Sequence, residues 1–301
     1  MSLIIRQTLN DTVNAKEKIL DPERHTVNLT EEMYQRLRHI VAKEITQLRI
    51  VLDAVEAREK ERTWMKLQTH GELDESRLVD GVAGEKTIYK RRGTEDPLFG
   101  SMQKHPKRLQ FVIDCSSSMA RFNGSDRRMD RAIACTLLIM EAFHGFEHKY
   151  DYSIMAHDGE TPTIPLVAFG KPPTTKEAKR AVLNRMFWNS LNCSSGDNTL
   201  AALLLAIQQV AAQPADDYFV FLVSDANLER YGITGEILAS MLLSDERVKA
   251  FAIFVAQERL EDLLRQMPPG RGMVCSDTAQ MPGIFKRLFM QEVLDGARSS
   301  L

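Results

Sequence analysis

The hydrophobic positions beyond residue 108 form two alternating patterns, short unbroken apolar runs and longer stretches with helical spacing. Unbroken runs such as Leu109–Ile113 and Tyr218–Val223 are typical of strands that are buried on both faces. The other predicted elements, in chain order, are helix Ala132–Met140, strand Tyr152–Ala156, strand Thr163–Val167, helix Lys176–Trp188, helix Thr199–Ala212, helix Gly235–Leu243, strand Ala250–Val255, helix Leu260–Gln266, strand Met273–Cys275 and helix Pro282–Leu294. This alternation predicts an α/β fold, a Rossmann-like, doubly wound and mostly parallel sheet over 108–295, in which Pro165 marks an edge strand.

The pattern before residue 108 predicts a helical extension. Residues 1–30 are mixed and polar and are interpreted as an arm without a core of its own. The range 31–64 contains no glycine or proline, follows Thr30 as a candidate N-cap, and predicts one long amphipathic helix. Its apolar stripe consists of Leu37, Ile40, Val41, Ile45, Leu48, Val51, Leu52 and Val55. The stripe must be covered by the following domain or by another chain, and the first arrangement is favoured. The range 65–107 is rich in glycine and charge and is interpreted as a connector with a short strand.

Polar oxygen groups follow the first buried strand directly. Asp114, Ser116 and Ser118 form the pattern Asp-x-Ser-x-Ser at the point where the strand must end. One carboxylate and two hydroxyls at the edge of a sheet are hard oxygen ligands of the kind that Mg²⁺ prefers. The alternative is an ordinary turn, because Asp and Ser side chains also bond to their own backbone at such positions.

Two later loops are predicted to reach the same edge of the sheet. Thr199 begins a helix after a polar segment, and Asp225 directly follows the second buried strand. Ligands of doubly wound sheets collect at the carboxyl ends of the strands, where the strand order reverses. A hydroxyl and a second carboxylate are therefore expected near Asp114. Taken alone, Thr199 could be a helix N-cap, and Asp225 could cap a turn with Asn227.

Together these parts resemble the metal-ion-dependent adhesion site of von Willebrand factor A domains. That site has Asp-x-Ser-x-Ser after the first strand, a Thr in a second loop and an Asp after the fourth strand. The resemblance implies one divalent cation, Mg²⁺ or alternatively Mn²⁺ or Ca²⁺, held by Asp114, Ser116, Ser118, Thr199 and Asp225. The two serines would bind it directly, and the Thr and the two carboxylates directly or through water. An Asp or Glu of a protein partner would fill the position that remains open.

The likeness extends to one particular family. Over about residues 60–295 the chain resembles the C-terminal region of the von Willebrand factor A domain-containing protein 8 family, large mitochondrial AAA+ ATPases related in layout to midasin and to metal chelatase subunits. The matching stretches are Gly71–Asp74, Leu78–Gly93, Met119–Gly124, Ser195–Asp197 and Ser224–Ile233. One departure is Ser117, where the family usually has glycine, because serine restricts the backbone of a tight loop. The resemblance implies AAA+ modules that act with this chain in cis or in trans, and a mitochondrial location, although residues 1–20 do not look like a transit peptide.

The sequence itself gives no sign of catalysis by this chain. A phosphate loop needs Gly, four residues and then Gly-Lys-Ser/Thr, but Glu85 stands between Gly84 and Lys86 and brings a carboxylate to the phosphate position. No general base with a matched nucleophile can be identified. His157 and Asp158, which follow a predicted strand, could lie near the same edge of the sheet, but a His–Asp pair in a loop is more often a polar surface feature than a catalytic one, and we interpret them so. We therefore predict that the chain alone is not an enzyme.

Composition narrows the class of protein further. The 301 residues are 44% hydrophobic and 27% charged, as in an ordinary globular chain. A net charge of −2 gives no reason to expect direct binding to nucleic acid or to an anionic membrane. No apolar run approaches the roughly 18 residues that a membrane span needs. The four cysteines show no C-x-x-C spacing, which argues against a zinc site and for reduced thiols in an intracellular compartment.

Two functions are consistent with these observations. The first is a metal-dependent protein-binding module that works with an AAA+ machine and captures an acidic residue of its partner. The second is a structural or assembly protein that uses the same fold without metal and holds partners through the range 31–64 and the connector. The complete five-residue set favours the first function, and Ser117 is the feature that favours the second.

Overall fold

The chain divides into two compact units. The smaller is Ile50–Lys104, and the larger combines Met1–Arg49 with His105–Leu301. The structure is a computed structural model, and it describes residues 29–59, 63–78, 81, 84–93, 105–194, 196–225, 228–255 and 260–288. Outside these ranges lie residues 1–28 of the predicted arm, Ser195, Asn227 and the end of the last predicted helix.

An N-terminal helix in two segments, α1 (Glu31–Ile40) and α2 (Ala42–Glu59), begins in the larger unit, and the part of α2 from Ile50 onward belongs to the smaller unit. Thr30 caps α1 by accepting a hydrogen bond from the amide of Met33 at 3.3 Å, as predicted. The segments meet at Val41, whose φ of −97° and ψ of 8° leave the helical region. Residues of α1 and the first turns of α2 contact the α/β domain, so the intramolecular arrangement is confirmed for this part of the helix.

The predicted apolar stripe is wrong in part. Ile40 is 65% exposed, whereas Tyr34, which the stripe omitted, is fully buried. The hydroxyl of Tyr34 donates a hydrogen bond of 2.8 Å to Glu141. A tyrosine with a polar partner can be buried at low cost. From Val41 onward the predicted stripe is confirmed at Val41, Leu48 and Leu52, which are fully buried.

The smaller unit contains a three-stranded antiparallel sheet. Its strands are β1 (Thr63–Gln68), β2 (Glu72–Leu73) and β3 (Tyr89–Gly93), in the order β1-β3-β2. The helix predicted over 31–64 is therefore too long. In the structure α2 ends at Glu59, and Trp64 pairs with Arg92 in the sheet. This stretch contains no glycine or proline that would end a helix, but hydrogen bonding to β3 decides its conformation. The range interpreted as a connector with one strand thus contributes to three.

A six-stranded sheet forms the centre of the larger unit. Its strands are β4 (Lys107–Asp114), β5 (Tyr150–His157), β6 (Ile164–Val167), β7 (Tyr218–Ser224), β8 (Val248–Phe254) and β9 (Gly272–Val274). They lie in the order β6-β5-β4-β7-β8-β9, and all neighbours are parallel except β5 and β6. This is the predicted doubly wound, mostly parallel sheet, with Pro165 on the antiparallel edge strand.

Helices cover both faces of this sheet. They are α3 (Ser117–Arg121), α4 (Asn123–Asp126), α5 (Arg128–Ala142), α6 (Lys176–Asn192), α7 (Thr199–Val210), α8 (Gly235–Leu242), α9 (Glu261–Arg265) and a helical range at 281–288. Short 3₁₀ turns lie at Glu75–Arg77, Glu229–Tyr231 and Thr278–Gln280. Helix α5 is buried on nearly all sides, as its sequence predicted, and Phe111 of β4 stacks on Phe221 of β7 with ring centroids 5.1 Å apart. Within the described ranges no helix has the length and apolar character of a membrane span.

Candidate metal centre

The candidate site lies where the strand order of the sheet reverses. Strand β4 has β5 on one side and β7 on the other, and the chain visits β5 before it returns to β7. Asp114 is the last residue of β4, and Asp225 follows the last residue of β7. Because the two strands are parallel neighbours, with Ile113 opposite Val223, both carboxylates reach the same edge of the sheet.

The Asp-x-Ser-x-Ser segment turns immediately after β4. The amide of Ser116 donates a 2.8 Å hydrogen bond to Oδ1 of Asp114, which holds the turn. Ser116 is extended, with φ −62° and ψ 162°, and α3 begins at Ser117. Ser117 is thus a helical residue without a positive φ. The backbone conformation that would require glycine does not occur at this position, so the departure from the family pattern does not strain the loop.

Four predicted ligands are joined by a chain of hydrogen bonds. Beyond the bond between Asp114 and Ser116, the two serine hydroxyl oxygens lie 3.0 Å apart, and Ser118 Oγ donates to Oδ2 of Asp225 at 2.8 Å. The second oxygen of Asp114 accepts a bond of 3.3 Å from Ser224. The structure therefore brings Asp114, Ser116, Ser118 and Asp225 together.

The spacing of these oxygens fits a small octahedral cation. Ligand oxygens at about 2.0–2.1 Å from Mg²⁺ lie about 2.9 Å from their neighbours in an octahedron. The separations of 3.0 Å between Ser116 and Ser118 and of 2.8 Å between Ser118 and Asp225 are those of ordinary O–H···O hydrogen bonds, and they are also compatible with that edge length. The described residues contain no cluster of three or more His, Cys, Asp or Glu side chains suited to a metal, so a cation here would depend on hydroxyl oxygens as well as carboxylates.

Thr199 lies at the start of α7 but is not bonded to the other four predicted ligands. It is fully buried, and its hydroxyl and amide donate to the carboxylate of Asp197 at 3.1 and 2.7 Å. The N-cap position belongs to Asn198, so the interpretation of Thr199 as a plain N-cap does not describe its contacts.

Close backbone packing fixes the loop that carries Thr199. Gly196 lies against Gly159 of the loop after β5, and a Cβ on Gly159 would lie 2.7 Å from the amide nitrogen of Gly196. The side-chain Nδ2 of Asn198 donates to the backbone carbonyl of Asp158 at 2.8 Å. The end of α6 also reaches the site, because Ser190 Oγ donates to the carbonyl of Ser116 at 3.0 Å. Three loops are thus tied together at this edge of the sheet.

Arg128 also contacts the candidate site, although no sequence pattern predicted it there. Its Nη1 donates to Oδ2 of Asp225 at 2.6 Å, and its guanidinium lies 5.1 Å from the ring centroid of Phe122. The side chains of Arg128 and Asp225 are only 12% and 3% exposed. The two residues are separated by 97 positions in the chain, so no local pattern could have indicated the pair.

The electrostatics of the site are those of closely spaced, buried acids. Burial raises the pKa of the Asp114 carboxyl, and the Asp225 charge adds to this effect, while His157 and the hydrogen bonds from Ser116 oppose it. His157 and Asp158 are both buried, so their interpretation as polar surface residues was wrong. His157 is the last residue of β5 and lies opposite Asp114, and pairing with β4 carries it into the interior. Neither ring nitrogen of His157 has a hydrogen-bond partner among the described residues.

Comparison with known proteins gives an extensive match to a much longer protein. No family model matches the chain. The von Willebrand factor A domain-containing protein 8 of Mus musculus is 42% identical over 263 residues, which cover 87% of this chain and 14% of the mouse protein. The chain therefore spans only a small part of the length of this relative.

Solved structures match the chain at lower identity. The vWF domain of the type V pili tip protein Mfa5 from Porphyromonas gingivalis is 23% identical, with 42% of this chain and 39% of that chain covered and a TM-score of 0.32. A mutant of the PilB minor pilin from Streptococcus sanguinis is 13% identical over 70% of this chain and 66% of that chain, with a TM-score of 0.46. An aerotolerance-related membrane protein from Bacteroides fragilis is 11% identical over 61% and 98% of the two chains, with a TM-score of 0.44.

The long match, the sheet topology and the Asp-x-Ser-x-Ser loop after β4 agree with one another. The chain belongs to the von Willebrand factor A domain proteins, as a relative of von Willebrand factor A domain-containing protein 8.

Proposed function

We propose that this chain is a protein-binding module that captures an acidic residue of its partner through a divalent cation. The cation would be held by Asp114, Ser116, Ser118, Thr199 and Asp225, with Mg²⁺ as the first candidate. The observation that carries this proposal is the oxygen spacing of 2.8–3.0 Å along Ser116, Ser118 and Asp225, at the point where the strand order reverses. When bound, the cation would supply a positive centre with an open coordination position.

The protein's own groups prepare such a centre. The hydrogen bond from the Ser116 amide orients one oxygen of Asp114, and Ser224 orients the other. The Ser118 hydroxyl would direct its oxygen to the cation while its proton remains hydrogen-bonded to Asp225, and the Ser116 hydroxyl oxygen would bind beside it. Two buried carboxylates balance the charge of the ion, so the partner's Asp or Glu would be recognised through local field and geometry.

The direct test is a titration of the chain with Mg²⁺ by calorimetry, comparing the wild type with Asp114→Ala. Asp245→Ala is the matched control. Asp245 precedes β8 and so lies at the amino ends of the strands, away from the candidate site, and it pairs with Arg247 at 2.7 Å. We expect micromolar to millimolar binding in the wild type and the control and none in Asp114→Ala. Equal binding by Asp114→Ala and the control would refute the proposed site.

A second function is favoured by one observation. The ion pair between Arg128 and Asp225 satisfies one site carboxylate without any metal. A protein that keeps this fold as a scaffold would retain such a pair and hold its partners elsewhere. The absence of any Mg²⁺ effect on the binding of an acidic partner would support the scaffold.

We also propose that the module acts beside AAA+ ATPase modules, either in a longer polypeptide or in a separate one, and within mitochondria. The proposal rests on the relative that is 42% identical and much longer than this chain. A tagged chain expressed in cells and purified with and without Mg²⁺ tests it. Recovery of an AAA+ ATPase only when Mg²⁺ is present is the expected result, and recovery that is indifferent to Mg²⁺ and to Asp114→Ala would contradict it.

A further inference from the structure

We infer that Arg128 competes with the divalent cation for Asp225, so that loading the site with metal requires the guanidinium to leave. This inference rests on the proposed function, because it concerns the same site. It assigns to Arg128 a role in setting metal affinity, although Arg128 is not a ligand.

The geometry of the pair is the first reason. Oδ2 of Asp225 accepts hydrogen bonds from two donors, Ser118 Oγ at 2.8 Å and Arg128 Nη1 at 2.6 Å. A carboxylate oxygen has about two lone-pair directions, and both are used in this arrangement. A cation that approached Oδ2 directly would need the direction that Arg128 holds. Ser118 can keep its position, because its oxygen can bind the ion while its hydroxyl hydrogen remains hydrogen-bonded to Asp225.

Charge is the second reason. The guanidinium stays protonated at any physiological pH, and its pair with Asp225 is almost entirely removed from solvent. A divalent cation bound to Ser118 and Asp225 would lie within a few ångströms of this positive charge. Repulsion over such a distance in a partly buried site is large compared with the free energy that corresponds to a tenfold change in affinity.

The surroundings of Arg128 show where the side chain is held. Arg128 is the first residue of α5, and its guanidinium lies over the ring of Phe122, whose side chain is 40% exposed. A side chain that starts at the end of a helix beside a partly exposed ring has solvent within reach. Departure from Asp225 therefore requires no movement of the sheet.

The experiment is calorimetric titration of Mg²⁺ into the whole chain for the wild type, Arg128→Gln and Arg128→Lys. Arg127→Gln is the matched control, because Arg127 is the adjacent residue, is 78% exposed and pairs with Asp130 rather than with Asp225. Each protein is also melted in the presence of a chelator. We expect Arg128→Gln to bind Mg²⁺ about 10-fold more tightly than the wild type, since the competing charge is gone. Arg128→Lys, which keeps the charge, should remain near the wild-type affinity.

The melting curves give a second readout that does not depend on metal. Without metal, Arg128→Gln should melt at a lower temperature than the wild type, because Asp225 loses its partner, and Mg²⁺ should restore more of that loss than it does for Arg127→Gln. A purely structural role for Arg128 would lower stability and affinity together.

The outcomes separate this inference from the proposed function. If the wild type binds Mg²⁺ and Arg128→Gln binds it equally or more weakly, the competition is refuted and the metal site stands. If none of the four proteins binds Mg²⁺ at millimolar concentration, the proposed metal site fails and the competition fails with it.

Discussion

Gly159 and Gly196 contact each other through their backbones, and neither position has room for a side chain. A Cβ on Gly196 would overlap the carbonyl oxygen of Gly159, and one on Gly159 would lie 2.7 Å from the amide nitrogen of Gly196. These two glycines join the loop after β5 to the loop that precedes Thr199. Their contact holds the loop after β5 against the segment that leads into Thr199.

Replacing Gly196 by alanine should therefore separate the two loops. We expect Gly196→Ala to lower the free energy of unfolding by about 1–3 kcal/mol, as overpacking does, and to weaken Mg²⁺ binding measured by calorimetry. Gly283→Ala is the control, because no atom lies within 4 Å of a Cβ at that helical position. It should be neutral or stabilising by up to about 1 kcal/mol. Unchanged metal affinity in Gly196→Ala would show that Thr199 does not contribute to the site.

Asp114 should make the metal-free protein less stable as the pH rises. Burial raises the pKa of its carboxyl above the value of about 3.9 expected for the unfolded chain. Between these two pKa values the folded state binds more protons than the unfolded state, so the free energy of unfolding falls with increasing pH and is lowest above the folded pKa. Asp114→Asn removes this penalty and should raise the melting temperature of the chelator-treated protein at neutral pH.

The control residue, Asp245, should change stability with pH in the opposite direction. The hydrogen bond and charge of Arg247 lower the pKa of Asp245, so its contribution to stability is lost as the pH falls. Asp245→Asn should flatten the acid side of the stability profile. If Asp114→Asn melts below the wild type at neutral pH without metal, Asp114 is a stabilising structural residue and the prediction fails.

Glu141 anchors α1 on the domain and should be costly to replace. It accepts hydrogen bonds from Tyr34 and Lys179 at 2.8 and 3.0 Å, and the side chain of Lys179 is 5% exposed. Glu141→Gln would leave a buried ammonium without its counter-charge, so we expect a loss of about 3 kcal/mol in chemical denaturation. Tyr34→Phe should cost about 1 kcal/mol, the typical value of one hydrogen bond.

Glu141 should also make the stability of the fold depend on pH in the acid range. Burial opposes the ionisation of Glu141, but the hydrogen bonds from Lys179 and Tyr34 and the charge of Arg38 outweigh it and lower its pKa. Its stabilising effect is therefore complete above the unfolded pKa of about 4.3 and is lost as the pH falls through the folded value. Asp262→Asn, which breaks an exposed pair with Arg265, is the control and should change stability by less than about 1 kcal/mol. Equal losses in the two variants would contradict the role of Glu141.

The oxygen spacing predicts selectivity among cations. Ca²⁺ binds oxygens at about 2.3–2.6 Å, which in an octahedron would place neighbouring ligands about 3.3–3.7 Å apart. The separations of 2.8 and 3.0 Å at Ser118 are too short for that ion. We expect Mg²⁺ and Mn²⁺ to raise the melting temperature more than Ca²⁺ at equal concentration. A larger shift with Ca²⁺ would show that the serines move apart on loading.

Local patterns were sufficient to predict the sheet and the grouping of four of the five candidate residues at the carboxyl ends of its strands. Asp114, Ser116 and Ser118 directly follow a buried apolar run, so one segment predicts both the strand and the polar turn. Long-range contacts decided what the patterns could not. Trp64 lies in β1 because β3 pairs with it, and Arg128 reaches Asp225 across 97 positions. Such pairings depend on topology, which hydrophobic spacing does not encode.

The two outermost strands of the six-stranded sheet limit how a partner can attach. One edge is β6, which has four residues and includes Pro165, a residue without an amide hydrogen, and the other is β9, which has three residues. A peptide that bound by adding a strand would find little unpaired backbone at either side. Recognition by this domain must therefore use side chains and loops, and the carboxyl ends of the strands bring several loops to one surface.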